Sequence, residues 1–104
     1  MGHMDFEFEG PVVEWRGPAP FYFVDIPEEE SGDIKFAASG LEYWGQVPVT
    51  ACIGDARFRT ALFPKDGRYL LPLRAVVRES AGIDLGEVVQ VALSVGREAG
   101  GPAR

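Results

Sequence analysis

Phe6, Phe8, Gly10 and Val12 alternate with Glu7, Glu9, Pro11 and Val13, the two-residue period of a half-buried strand. Gly17-Pro18-Ala19-Pro20 interrupts any regular element, and Phe21 to Val24 then read as a second strand, largely apolar on both faces, that pairs with the first as a hairpin. Pro27 ahead of Glu28, Glu29 and Glu30 predicts a short helix over about 27–38. Proline lacks only a donor that the first turn does not use, and acids favour the positive end of the helix dipole. A loop over 39–45 carries Tyr43 and Trp44, after which Val47, Val49, Ala51 and Ile53 alternate with Gln46, Pro48, Thr50 and Cys52.

Gly54-Asp55 turns the chain into a strand over 57–63, with Phe58, Thr60 and Leu62 on one face and Arg57 and Arg59 on the other. Asp66-Gly67 suits a tight hairpin turn, so Arg68 to Leu73 returns antiparallel and brings Arg68 alongside that strand. From Leu73 the apolar period lengthens. Leu73, Val76, Val77 and Ala81 predict a helix over 73–81 that ends at Gly82, with Arg74 and Arg78 one turn apart on its wetter face. Glu87 to Val95 alternate again as a last strand, and the Gly-, Ala- and Pro-rich stretch from Gly96 to Arg104 is expected to be a disordered tail.

Six short strands, two short helices and no βαβ spacing predict a mostly β domain of about six antiparallel strands, closed or nearly closed to hide its edges. Tyr22 to Pro27 before the first helix faintly echoes Tyr69 to Pro72 before the second, so both halves read hairpin, proline, short helix. Such halves let one chain close its own barrel, and a predominantly monomeric protein is expected. At 104 residues the chain has room for one core, placed over residues 5–96. The opening MGHM, with the only histidine, His3, reads as the remnant of an expression tag. No apolar run reaches the ~18 residues of a membrane span and no secretion signal opens the chain, so a cytoplasmic location is expected. Cys52 is the single cysteine, expected to be a small buried hydrophobe, and it excludes an internal disulfide.

The formal charge of -6 is unevenly spread. Residues 1–55 carry eleven acids against two bases, residues 56–78 one acid against six bases, and residues 79–104 four acids against two bases. The basic middle either pairs with the acids of the first strand, Glu7, Glu9 and Glu14, or presents a face to an anionic ligand. Without a native histidine there is no conventional base for a nucleophilic triad, and no G-x-S-x-G, G-x-G-x-x-G or phosphate-loop motif is present. Three consecutive glutamates on a helix point in different directions, so a metal site is not expected there, and no cofactor is implied.

Gly67-Arg68-Tyr69-Leu70-Leu71-Pro72, a short helix with Arg78, and Gly82-Ile83-Asp84-Leu85-Gly86-Glu87-Val88-Val89 resemble the pattern of AbrB/MazE-type swapped-hairpin domains. Over residues 6–95 the chain resembles an uncharacterised bacterial family of unknown function, found fused to or alongside YdeI/OmpD-associated proteins. Phe8 to Trp15, Pro20 to Val24, Ile26-Pro27, Trp44-Gly45, Val47-Pro48-Val49, Ile53-Gly54, and Arg59 to Pro64 running on through Gly67 to Arg78 carry that resemblance. It departs at Glu79-Ser80, where the family is more basic, and at Arg74, where lysine is common. The resemblance implies an AbrB/MazE-like double-split pseudobarrel and brings no catalytic residues with it.

The function expected from these features is a non-catalytic binding module for a small, anionic molecule or a protein partner. Trp15, Tyr22 and Trp44, beside Gly or Pro turns, are expected to border an anion-attracting face made by Arg57, Arg59, Arg68, Arg74 and Arg78. A small barrel enzyme that shapes its substrate for cyclisation or isomerisation is the first alternative. An AbrB-like DNA-binding regulator is the second, opposed by a pI near 4.7.

Overall fold

The computed structural model describes residues 5–15, 21–39 and 46–96. The expected tag remnant with His3, the Gly-Pro stretch over 17–20, Tyr43, Trp44 and the expected tail after Gly96 lie outside the described residues. Among the described residues the strands are β1 (Asp5–Trp15), β2 (Phe21–Asp25), β3 (Val47–Ile53), β4 (Ala56–Lys65), β5 (Arg68–Leu73) and β6 (Val88–Val95). The helices are α1 (Glu28–Ala37) and α2 (Ala75–Ala81). All neighbouring strands are antiparallel and close a barrel in the order β1-β2-β5-β4-β3-β6. Exchanging β1, β2, α1 and β3 for β4, β5, α2 and β6 maps this ring of pairs onto itself. The faint echo between the two halves of the sequence therefore has a counterpart in the topology.

Closure depends on two long strands that change partners along their length. Asp5 to Pro11 of β1 pair with β6, and Val12 to Trp15 pair with β2. In the same way Ala56 to Leu62 of β4 pair with β3, and Phe63 to Lys65 pair with β5. Gly10 sits buried just ahead of the first exchange, where the end of β2 crosses close over β1. A Cβ at this position would lie 2.9 Å from Val24 Cγ1 and closer still to the Asp25 carbonyl oxygen. Only glycine lets the two backbones approach this way.

The alternating positions read from the sequence fill the interior. Phe8 and Val12 of β1, Val49 and Ala51 of β3, Leu62 of β4, Leu71 of β5, and Val91 and Leu93 of β6 belong to one buried cluster, completed by Ile34 of α1 and Val77 of α2. Ser31 is the buried polar residue of α1. Its hydroxyl donates to the Ile26 carbonyl at 3.2 Å and accepts from the Tyr69 backbone N–H at 3.1 Å. Where β2 gives way to the helix, this side chain supplies β5 with the acceptor that a continuing strand would have offered. The β4–β5 turn has Asp66 at φ 53° and Gly67 at φ 80°, the positive angles expected of the Asp-Gly dipeptide.

Two details differ from the sequence reading. Pro27 is the N-cap residue of α1 and not part of its first turn. Leu73 belongs to β5, where it pairs with Tyr22, so the alternating period continues to the end of that strand. Arg74 is then the extended N-cap of α2, at φ -72° and ψ 158°, and the helix begins at Ala75. Val76, read as part of the apolar stripe, is 67% exposed, while Val77 turns inward. Cys52 is half-buried and not fully enclosed. No helix among the described residues is long and apolar enough to cross a membrane.

Gly10→Ala is expected to cost about 1–3 kcal/mol, the range for forcing an extra methyl into a packed site, and urea denaturation measures it. A loss no larger than that of an exposed substitution would show that β2 can be displaced without penalty. A barrel closed within one chain also predicts a sedimentation mass near 11.3 kDa, and a stable dimer would contradict self-sufficiency.

Candidate functional site

The register of the β1–β2 hairpin builds an aromatic surface on the outside of the barrel. Val13 pairs with Phe23 and Trp15 with Phe21, while Phe23 pairs on its other side with Pro72 of β5. These residues share the outer face of the sheet, where Phe63 of β4 joins them. Phe23 is the hub, with ring centroids of Trp15, Phe21 and Phe63 at 6.4, 6.4 and 6.2 Å, all tilted as aromatic pairs prefer. Although it points away from the barrel core, Phe23 is buried, whereas Trp15 and Phe21 are 53% and 59% exposed. The cluster is thus a second, shallow core with an open aromatic rim.

A groove of about 570 Å³ runs from this rim around the end of the barrel to the start of α2. Trp15, Phe21 and Phe23 line it together with Tyr22, Arg74 and Arg78. Tyr22 faces the opposite side of β2 from Phe21 and Phe23, consistent with the apolar character of both faces. The Arg78 guanidinium lies over the Tyr22 ring, with Cζ 3.9 Å from its centroid. Its Nε is buried and has no hydrogen-bond partner among the described residues. Arg74 is exposed and forms no ion pair among the described residues. The volume falls within the range of small-molecule sites, and the lining combines apolar walls with a few cationic donors.

A second depression of about 440 Å³ lies across Trp15, between Val13, Asp25, Lys65 and Arg68. Arg68 Nη2 donates to both carboxylate oxygens of Asp25, at 3.2 and 3.0 Å. The two side chains are 41% and 27% exposed, so solvent screens the pair and its contribution to stability is about 0–1 kcal/mol. Lys65 Nζ stands 5.5 Å from the Trp15 ring centroid and 3.5 Å from the Asp66 carboxylate.

The seven candidate residues that are described therefore do not form one face. Trp15, Tyr22, Arg74 and Arg78 meet in the groove. Arg68 is held by Asp25 of β2, not by Glu7, Glu9 or Glu14 of β1. Arg57 and Arg59 pair in register with Cys52 and Thr50 of β3 and line neither depression. Their separation follows from the partner exchange in β4, because β5 runs beside Phe63 to Lys65 only, so Arg68 faces Lys65 and not the earlier arginines. Arg57 has a partner, and Arg59 forms no ion pair among the described residues. Trp44 lies outside the described residues. Phe21, Phe23 and Phe63 were not among the candidates; their signal was the alternation of Phe21 and Phe23, which places both on one face once the strand is recognised. Among the described residues no three His, Cys, Asp or Glu side chains converge as metal ligands would.

Fold and site together define a small closed antiparallel β-barrel that carries an aromatic groove with arginines at one end. The chain belongs to the family described as "Domain of unknown function (DUF1905)", which matches residues 8–93. A search of curated proteins finds no match to this chain.

Phe23→Ala is expected to destabilise the fold by about 3 kcal/mol, the low end for buried phenylalanine because its half-open neighbours can settle into the space. Phe21→Ala, on the exposed rim, is expected to change stability by only about 0.5 kcal/mol. Thermal or urea unfolding of the two variants compares them directly, and equal losses would contradict the hub arrangement.

Proposed function

We propose that this domain is a non-catalytic binding module for a small molecule with an apolar, ring-containing body and an anionic group. The observation that carries this reading is the meeting of Trp15, Phe21 and Tyr22 with Arg74 and Arg78 in one groove. Exposed aromatic rings supply contact area for an apolar body, and guanidinium groups supply forked donors for an oxyanion. The chain is acidic overall, with a formal charge of -6, so a local pair of cations is the feature that would draw an anion to this spot.

The exchange of partners in β1 and β4 and the two like halves support a double-split barrel of the AbrB/MazE kind as the finer description of the fold. The resemblance to bacterial proteins associated with the YdeI/OmpD type supports a bacterial, cytoplasmic domain. A protein segment laid on the aromatic rim is the second reading, favoured by the exposure of Trp15 and Phe21. DNA binding draws less support, since the arginines are dispersed over three places and do not make a phosphate track.

Two fluorescent probes test the main reading. One is 8-anilinonaphthalene-1-sulfonate, an aromatic anion, and the other is N-phenyl-1-naphthylamine, its uncharged counterpart. The anion is expected to bind more tightly, and Trp15→Ala to weaken both. Arg74→Ala should weaken the anion alone by about fivefold, the effect of one exposed charged contact, without lowering the melting temperature. Arg59→Ala, outside the groove, should change neither affinity. Equal affinity for the two probes, or indifference to Trp15→Ala, sinks the reading.

A further inference from the structure

Resting on that reading of the groove, we infer that the ligand's anionic group is a phosphomonoester, selected for its double negative charge by Arg74 and Arg78 together. A comparison of the two halves of the barrel carries this. Pro27 and Arg74 are the N-cap residues of α1 and α2. One turn on, Ser31 N–H donates to the Pro27 carbonyl at 2.8 Å, and Arg78 N–H donates to the Arg74 carbonyl at 3.0 Å. An interval of 47 residues separates Pro27 from Arg74, Ser31 from Arg78 and Tyr22 from Tyr69. Ser31 accepts from the Tyr69 backbone, and Arg78 lies over the Tyr22 ring. In the first half the two helix positions thus hold a proline and a serine that fastens the helix to β5. The second half forms the same elements with an arginine at both, so neither charge is a requirement of the architecture.

Like charges one helical turn apart repel each other. Nothing near this pair offsets the repulsion. The first turn of α2 has no acidic residue, where that of α1 has Glu28, Glu29 and Glu30. No Asp or Glu lines the groove among the described residues, and neither arginine forms an ion pair there. Glu79, beside Arg78 in sequence, is exposed and outside the groove lining. Arg68, held by Asp25, shows the contrasting case of a cation neutralised from within the chain. Coulombic attraction acts over a distance and makes no demand on donor direction, so Arg78 contributes its charge although its Nε is shut off from solvent. A carboxylate, a sulfonate or a phosphodiester brings one negative charge to such a pair. A phosphomonoester brings nearly two at neutral pH, on one phosphorus, and so matches both arginines. Its apolar body then rests against Trp15 and Phe21, as in the reading above.

Two probes with one naphthyl body isolate the second charge: 1-naphthyl phosphate and its diester, methyl 1-naphthyl phosphate. They differ by about one charge at neutral pH or just above. At low ionic strength the monoester is expected to bind the wild-type protein about fivefold more tightly, the effect of one further exposed charge contact. Arg74→Glu makes the groove neutral and gives Arg78 an acid one turn away, so the two affinities should become equal while the melting temperature holds or rises. Arg59→Glu makes the same change of net charge outside the groove and should leave the preference intact. Equal affinities in the wild-type protein, a preference that survives Arg74→Glu, or one that Arg59→Glu abolishes as well, overturns the inference. If any of these occurs while the sulfonate probe is still preferred over the uncharged amine, the groove reading survives and only the double charge is lost. If that preference is also absent, both fail. The first comparison uses the wild-type chain alone, so a variant that fails to fold leaves the decision intact.

Discussion

The close approach of β2 to β1 over Gly10 is the constraint on which the other features rest. A six-stranded barrel closes only if strands tilt and stagger, and here β1 manages this by leaving β6 at Pro11 and taking up β2 at Val12. The exchange directs the distal part of β1 away from the first sheet and carries Trp15 to the end of the hairpin. It also brings Asp25 over Gly10, so that β2 can continue into Ile26 and the helix that Ser31 fastens to β5. A side chain at Gly10 would push these elements apart, and barrel interior, helix docking and aromatic surface would be disturbed together.

Prolines fit the same logic. Four lie inside strands, at Pro11, Pro48, Pro64 and Pro72, where a missing donor would ordinarily cost a ladder bond. Pro11 and Pro64 stand within two residues of the points where β1 and β4 change partners. Pro72 pairs with Phe23 of β2 in a part of β5 beyond the residues registered with β4, so one side of the strand is free of a ladder there. Residues that look like strand breakers in the sequence therefore mark where a strand is single-sided.

This explains what the sequence made legible. Alternation identified β1, β3, β4 and β6 because one face of each is packed into the barrel, whereas β2 was legible as a short apolar run and β5 from the Asp66-Gly67 turn, a dipeptide that accepts both positive angles. The start of α2 was misread because Leu73 stands at helical spacing from Val76 and Val77, although its pairing with Tyr22 keeps it in β5. The site was legible only in part. Tyr22 lies 52 residues before Arg74 and 56 before Arg78, and no local pattern reports which strand ends meet. The expectation of a single arginine face failed for a related reason: it assumed that β4 and β5 pair along their whole length, whereas β4 spends most of its residues against β3.

The division of labour between the two apolar regions bears on how such a domain tolerates a binding site. The barrel interior is closed by alternation and does not include Trp15, Phe21 or Arg74, all of which are exposed. Phe23 links the regions: its backbone belongs to the β1–β2–β5 ladder, while its ring supports the aromatic rim from below. Substitutions at the rim can therefore alter what the groove accepts at little cost to the fold, because the rim residues lose little buried area. Arg78 is the exception, since it rests on Tyr22, whose neighbours Val24 and Leu73 are buried in the core. Of the groove's two arginines, Arg78 is thus the one positioned by the barrel, as a site that must orient a ligand requires.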